Sequence, residues 1–449
     1  MKSRSARRAA AMVMTASLVG VGMAAQSAGA VEAGRSVPQA QSVPADRSAS
    51  VPRGFASWDD VMREQQRLNK AATAIEVSAE KRGKDSGLAG IRVRPESRRV
   101  VVYWKGAVPK DVRSVIDRQR RKVPVRVVGA RYSKTELLAE SRRLQVATDM
   151  GAIAPRVDGS GLTVKLASDP SPTLTGPSMR ELVADSRVDV DIAAERVRTN
   201  RLTAEKKSTG AATAPYADPC PYKYGTYQSC RAFDKPYGAL GYSAGARTQN
   251  CTTNFAVYQD TEAGRVKRMV LPAHCGELGS WQMLENGTWI GQVVARDLLS
   301  DTALATTFGS PYMWTGDWKS QSKMKVSSVV SRSYVDNLVC TSGARSGEVC
   351  NNRVYETDTS YMADGLVSYP MVYAENESGL AAAGPGDSGG PVFEPIPDNT
   401  TTVVAKGMIS SAILGVYQCN DPSQSACGAK FYYSDMADIL PRFGAVLQW

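Results

Sequence analysis

Histidine is nearly missing from this chain: its 449 residues contain one, His274. That scarcity, with cysteines scattered at disulfide-like spacings, speaks against a zinc centre. Any proton transfer that needs an imidazole has a single residue to use. Cysteine is absent from the first 219 residues, and all eight lie between Cys220 and Cys427. The even number fits four bridges in an oxidised, exported C-terminal part beside a region made to be discarded. Spacing alone leaves roughly a hundred pairings open. Long apolar runs are missing too, since nothing beyond the N terminus approaches the roughly 20 residues of a spanning helix.

What is present begins with Lys2, Arg4, Arg7 and Arg8, an apolar run from Ala9 to about Ala25, and Ala28-Gly29-Ala30. This is the pattern of an export signal over residues 1–30. Residues 31–54, rich in Pro, Ser, Ala and Gln, read as a disordered spacer. A small α+β module is expected over 55–197. Helices are predicted at Trp58 to Lys81, Pro109 to Lys122, Ser133 to Val146 and Met179 to Ala184, with Ser133 and Glu136 forming a capping box. Strands are predicted at Arg99 to Trp104, Pro124 to Val128, Gly161 to Leu166 and Val188 to Ile192. Residues 198–219, with Lys206-Lys207 and small polar residues, read as a flexible linker, and 220–449 as a second domain. That domain's Val, Ile, Tyr and Thr runs, such as Thr288 to Val294, Lys325 to Val330 and Thr401 to Ile409, point to an all-β build.

Charge divides the chain. Residues 31–207 carry 34 Lys+Arg against 22 Asp+Glu, and residues 208–449 carry 17 against 22. A basic module suggests nucleic acid, but its cations alternate with acids along helices, and a solvated surface accounts for most of them. Opposite net charges favour docking of the two parts instead.

The chemistry concentrates in Gly384-Pro-Gly-Asp-Ser-Gly-Gly-Pro391, where glycines surround a candidate nucleophile, Ser388. They free the backbone to aim N–H groups at a substrate carbonyl, with Gly386 and Ser388 as candidate oxyanion-hole donors. The same run satisfies the Gly-x-Ser-x-Gly pattern of α/β-hydrolases, whose histidine follows the serine. No histidine follows Ser388, so that triad cannot be assembled. His274 lies upstream in Leu271-Pro-Ala-His-Cys275.

These two elements resemble those of the chymotrypsin-like serine proteases, and the PGDSGGP form is most similar to their secreted bacterial branch, the streptogrisin and α-lytic protease group. The resemblance spans roughly the C-terminal half. It implies an all-β mature domain of two six-stranded β-barrels, preceded by an α+β pro-region that assists folding and inhibits the enzyme, with maturation in the linker. It implies a secreted serine endopeptidase acting on polypeptides, monomeric, needing no cofactor or metal and binding neither nucleic acid nor membrane. A catalytically silent, protein-binding member of the same fold is the alternative. The order His274, Asp301, Ser388 matches the family. Asp301, in Ser300-Asp-Thr-Ala-Leu304, resembles the family's acid element better than its competitor Asp297.

The resemblance also implies bridges Cys251–Cys275 and Cys340–Cys350, leaving Cys419–Cys427 and Cys220–Cys230 to be paired by proximity. Asp387 holds the nucleophile loop by an ion pair in relatives; the usual arginine is replaced by Thr341, and Arg345 is the candidate substitute. Ser410 and Ala412 fall on the strand that pairs with substrate. Ala382 stands where trypsin-like enzymes carry an aspartate, which argues against Lys or Arg before the scissile bond. Lys430 is expected near the base of the specificity pocket, where an ammonium would favour Glu or Asp; a slip of one residue would put it in solvent.

Overall fold

A computed structural model describes residues 50–170, 175–203, 230–234, 242–306, 309–415, 417–422 and 424–449. The export signal, nearly all of the spacer, linker residues 204–219 and the Cys220–Cys230 pairing lie outside these residues. Among the described residues no helix is long and apolar enough to cross a membrane.

The N-terminal part is α+β as expected. Its first helix, Trp58–Glu80, begins where the Ser57 hydroxyl accepts from Asp60 N at 3.1 Å, and Asp59 and Asp60 complement the helix dipole in the first turn. Val61, Leu68, Ala72, Ile75 and Ala79 recur at helical spacing and are buried. Three polar residues interrupt this buried face, and each meets a partner in the C-terminal half. Gln65 bonds both the Leu338 N–H and carbonyl, at 2.6 and 2.9 Å. Asn69 accepts from Asn337 at 3.1 Å, and Glu76 from the Tyr334 hydroxyl at 2.8 Å. A buried polar group without a partner is costly, so these pairs fix how the helix sits.

Strand Leu88–Arg94 pairs antiparallel with Arg99–Trp104, which pairs in parallel with Val125–Gly129 after a crossover through helix Lys110–Arg120. Helix Lys134–Leu144 opens with the predicted Ser133–Glu136 capping box. A second box, Ser178–Glu181, opens Met179–Ala184. Two strands were not legible in the sequence. Leu88–Arg94 contains Gly90 and two arginines, and Met150–Pro155 has only Ile153 as a strong strand former beside glycine, alanine and proline. The second has a neighbour on each side: it pairs antiparallel with Leu162–Leu166 of its own half, and Ile153 and Ala152 pair with Ser360 and Tyr361 of Gly347–Ala363, so one sheet runs through both halves.

The C-terminal half has the expected two-barrel, all-β architecture. One unit is a six-stranded sheet in the order Trp281–Met283, Trp289–Asp297, Thr302–Ala305, Gly264–Leu271, Ala256–Thr261, Ala445–Leu447. In the other, hydrogen bonding closes a ring of six strands: Leu338–Gly343, Gly347–Ala363, Leu366–Asn376, Cys427–Asp435, Asn399–Gly415 and Pro391–Ile396, which returns to the first. A core including Phe255, Val257, Val270, Leu304, Met313, Phe393 and Met408 joins the two units. Helix Met436–Arg442, capped by Asp435, adds Met436 and Ile439 to it.

Charge complementarity between the halves is real but mixed. Arg63–Asp398, Arg92–Asp336, Lys134–Asp358 and Lys165–Glu356 put the cation on the N-terminal side. Arg332–Glu76, Arg353–Glu96 and Lys430–Glu195 reverse it. Glu76, Lys134, Arg332, Asp358 and Asp438 line a small cavity at this junction. Burial pushes the Asp438 carboxyl up to about 6; Arg332, 3.0 Å away, opposes the rise, and Asp435 and Asp358 add to it. A folded value above the unfolded one means that this group's contribution to stability is complete below the unfolded value of 3.8 and is lost as the pH rises through 6. The thermal midpoint of the intact chain should therefore drop between pH 5 and pH 8 by more than that of Asp438→Asn. Parallel pH profiles for the two proteins would remove Asp438 as the titrating group.

Candidate active site

Each of the three candidate residues stands at the edge of a strand, facing the cleft between the two β units. Strand Gly264–Leu271 runs into the turn Ala273–Cys275, which carries His274 and is tied to Cys251 by a disulfide. Asp301 immediately precedes Thr302–Ala305, the strand paired with Gly264–Leu271, and its carbonyl accepts from Ala273 N at 3.1 Å. Ser388 comes from the other unit, in the loop before Pro391–Ile396.

These placements bring three side chains into line. His274 Nδ1 lies 2.7 Å from Asp301 Oδ2, and Nε2 lies 2.8 Å from Ser388 Oγ. Asp301 also accepts from His274 N at 3.1 Å, which ties the turn to the acid. Burial pushes the Asp301 carboxyl up, but His274, the Arg201 guanidinium and the Ser410 hydroxyl together hold it below its ordinary value. A charged Asp301 is the form that orients the imidazole with its proton on Nδ1 and leaves Nε2 to accept. Asp297 is elsewhere: it caps the turn at Leu299 and Ser300 and pairs with Arg442 at 2.5 Å.

Two glycines shape the Ser388 loop. Gly386 has φ of +94°, and a Cβ there would lie 2.4 Å from Arg345 Nε; at Gly389, with φ of +93°, it would lie 1.9 Å from the Thr252 carbonyl. Neither position accepts a side chain without rearrangement. Thr252 closes the loop from outside, with its N–H on the Ser388 carbonyl at 2.7 Å and its hydroxyl on the Gly386 carbonyl at 2.7 Å. Asp387 accepts from the N–H groups of Arg345, Ser346 and Gly384 at 2.8, 3.0 and 2.8 Å, and from the Ser346 hydroxyl at 2.5 Å. The expected ion pair with Arg345 is thus corrected to a backbone contact: the Arg345 guanidinium is directed toward Glu285 and Asp421, at 3.8 and 3.7 Å. A different cation, fully buried Arg231, feels Asp387. Burial lowers its guanidinium to about 10, against the pull of Asp387.

Ser410 and Ala412 lie on Asn399–Gly415 beside Ser388. The Ser410 carbonyl accepts from Ser388 Oγ at 3.1 Å, and its hydroxyl donates to Asp301 while sharing a 2.6 Å contact with the Tyr361 hydroxyl. Ala382, Ala383 and Ala412 are buried with Phe431 and Ile409 in one apolar cluster. Lys430 is corrected in position. Its neighbour Phe431 enters that cluster, while Lys430 turns to the opposite side of the strand and reaches Glu195 at 3.3 Å. The disulfides Cys251–Cys275, Cys340–Cys350 and Cys419–Cys427 are present.

The cleft is occupied by the chain itself. Asn200–Arg201, at the start of the segment expected to be a flexible linker, forms a strand antiparallel to Asn399–Gly415, pairing Ala412 with Asn200 and Ser411 with Arg201. Leu202 N donates to Ser388 Oγ at 3.1 Å, and the Leu202 carbonyl accepts from Gly386 N at 2.6 Å. Arg201 lies 3.0 Å from Asp301, 3.2 Å from His274 Nδ1 and 3.3 Å from the Ser368 hydroxyl. Ser388 is fully buried beneath this segment. No motif marks Thr199-Asn-Arg-Leu-Thr203, nor Tyr361 within its long strand, so neither was visible in the sequence.

No family profile and no curated protein matches the sequence. Among solved structures, the chain is similar to a glutamic acid-specific serine protease that uses a histidine triad in substrate binding, at 20% identity over 46% of this chain and 100% of the other, with a TM-score of 0.36. Protease A of Thermobifida fusca is 18% identical over 45% and 96%, with a TM-score of 0.34. An α-lytic protease homologue, N4, is 18% identical over 46% and 100%, with a TM-score of 0.33.

Proposed function

We propose that this chain is a secreted serine endopeptidase of the chymotrypsin-like class, made as a zymogen, with Ser388 as nucleophile, His274 as general base and Asp301 as the group that orients it. The unbroken line from Asp301 through His274 to Ser388 Oγ, at 2.7 and 2.8 Å, carries this reading. Ser388 Oγ attacks a peptide carbonyl as its proton passes to His274 Nε2. The C–N bond breaks, the leaving amine takes that proton, and water hydrolyses the ester by the reverse route. The N–H groups of Gly386 and Ser388 receive the developing oxyanion, where loss of one donor costs roughly 10² to 10³ in rate.

Residues 55–197 act as the pro-region, an inhibitor and folding partner, and maturation takes place in 198–219. Support comes from the segment lying over Ser388 and from the ion pairs between the halves. The export pattern and the three bridges support secretion. A fluorophosphonate probe tests the reading, because only an activated serine reacts with it. The matured protein should be labelled at Ser388, with labelling lost in His274→Ala. A matured, folded protein that stays unlabelled would instead be a silent binder.

A further inference from the structure

We infer that the cleft is selective for leucine before the scissile bond, that the chain's own maturation cut falls between Leu202 and Thr203, and that Arg201 holds the resulting end in place as an inhibitor. This deepens the protease reading and rests on it. The two backbone bonds of Leu202, to Ser388 Oγ and to Gly386 N, bracket its carbonyl carbon beside the nucleophile. The antiparallel pairing of Asn200 and Arg201 with Ala412 and Ser411 fixes the direction of the segment, so that Thr203 continues on the leaving-group side.

The Leu202 side chain is fully buried in the cluster that contains Ala382, Ala412, Ile409 and Phe431. Small alanines on two walls leave room for a branched aliphatic chain, and a carboxylate or ammonium placed among these apolar side chains would be costly to bury. Lys430, the one cation expected there, lies on the opposite face of its strand from the buried Phe431. Arg201 supplies the second part of the inference. Its guanidinium, almost wholly buried, pairs with the same carboxylate that would steady the imidazolium during turnover. After the cut, the pairing of Arg201 with Asp301 and the Ser368 hydroxyl adds to the contacts that keep the Leu202 end in the cleft and slow its replacement by substrate.

The cut adds one water. Ser388 Oγ bonds to the Leu202 carbonyl carbon, the Leu202–Thr203 bond breaks, and the Thr203 nitrogen leaves with the proton from His274. Hydrolysis of the ester then frees Leu202 as a carboxylate.

The test has two arms on enzyme matured from the full wild-type chain. In a peptide library varied at the residue before the scissile bond, Leu should be cleaved at least about tenfold faster than Ala, Phe, Glu or Lys. The peptide Thr-Asn-Arg-Leu with a free carboxylate should inhibit, and the same peptide with Gln for Arg should inhibit about tenfold less. In the full chain, Leu202→Met should still release a fragment ending at residue 202, and Leu202→Asp should not; if Leu202→Asp fails to fold, the library arm still decides. Preference for another residue by a Ser388-labelled enzyme, or equal inhibition by both peptides, would overturn the inference and leave the protease reading standing. Absence of both labelling and cleavage would overturn the two together.

Discussion

Ser388→Ala should lower kcat/KM for peptide hydrolysis by on the order of 10⁶, to the level left by binding and the oxyanion donors alone. The loss should appear almost wholly in kcat, because the strand Asn399–Gly415 and the apolar cluster that would hold the substrate are untouched. Among the described residues Ser388 Oγ hydrogen-bonds His274 Nε2, the Ser410 carbonyl and Leu202 N, so its removal should leave the fold intact. The same variant, expressed as the full chain, should stay uncut with its cleft covered, so the kinetics are read on variant cut by added wild-type enzyme that is then removed. Steady-state kinetics with a leucine peptide and the mass of the secreted product check both statements. Residual hydrolysis above about one hundredth of wild type would transfer the nucleophile's role elsewhere.

Asp301→Asn comes second, with an expected fall of about 10⁴ in kcat. Asp301 accepts from the backbone N–H and Nδ1 of His274 and from the Ser410 hydroxyl. An asparagine can turn its oxygen to only part of this set, and wherever its NH₂ faces Nδ1 it favours the tautomer whose proton sits on Nε2, facing Ser388. Asp297→Asn provides the contrast. That carboxylate caps a turn and pairs with a half-exposed arginine, so activity should change by less than about twofold and stability by about 1 kcal/mol or less. Equal losses in the two variants would contradict the assignment of Asp301.

The parts of the site that could be read from the sequence are those whose chemistry is packed into a few adjacent residues. Gly386 and Gly389 reveal the Ser388 loop because their backbone angles exclude other residues, and His274 is conspicuous by being alone. Asp301 was reached through the apolar residues that follow it, which form the strand Thr302–Ala305. Lys430 shows where such reading stops. Along a strand the side chains alternate, so a shift of one residue exchanges the buried Phe431 for a lysine on the other face. Asp387 fails differently: its anion is satisfied largely by backbone N–H groups, which every residue but proline carries and no sequence pattern reports. The helices of the N-terminal part were legible because caps and periodic burial are local. Met150–Pro155 was not, because its own residues carry little strand signal and its pairing on one side is with residues more than 200 positions away.

That pairing bears on how the protein would age after the proposed cut. Ser360 and Tyr361 hold Ile153 and Ala152 on one edge of Gly347–Ala363, and the Tyr361 hydroxyl leads through Ser410 to Asp301. A chain relieved of everything before residue 203 keeps this long strand with its main-chain donors and acceptors newly bare, a template for any other extended segment in the medium. Its lifetime is then set by how slowly that edge frays or finds a partner, and the first thing such a partner would disturb is the tyrosine that steadies the acid.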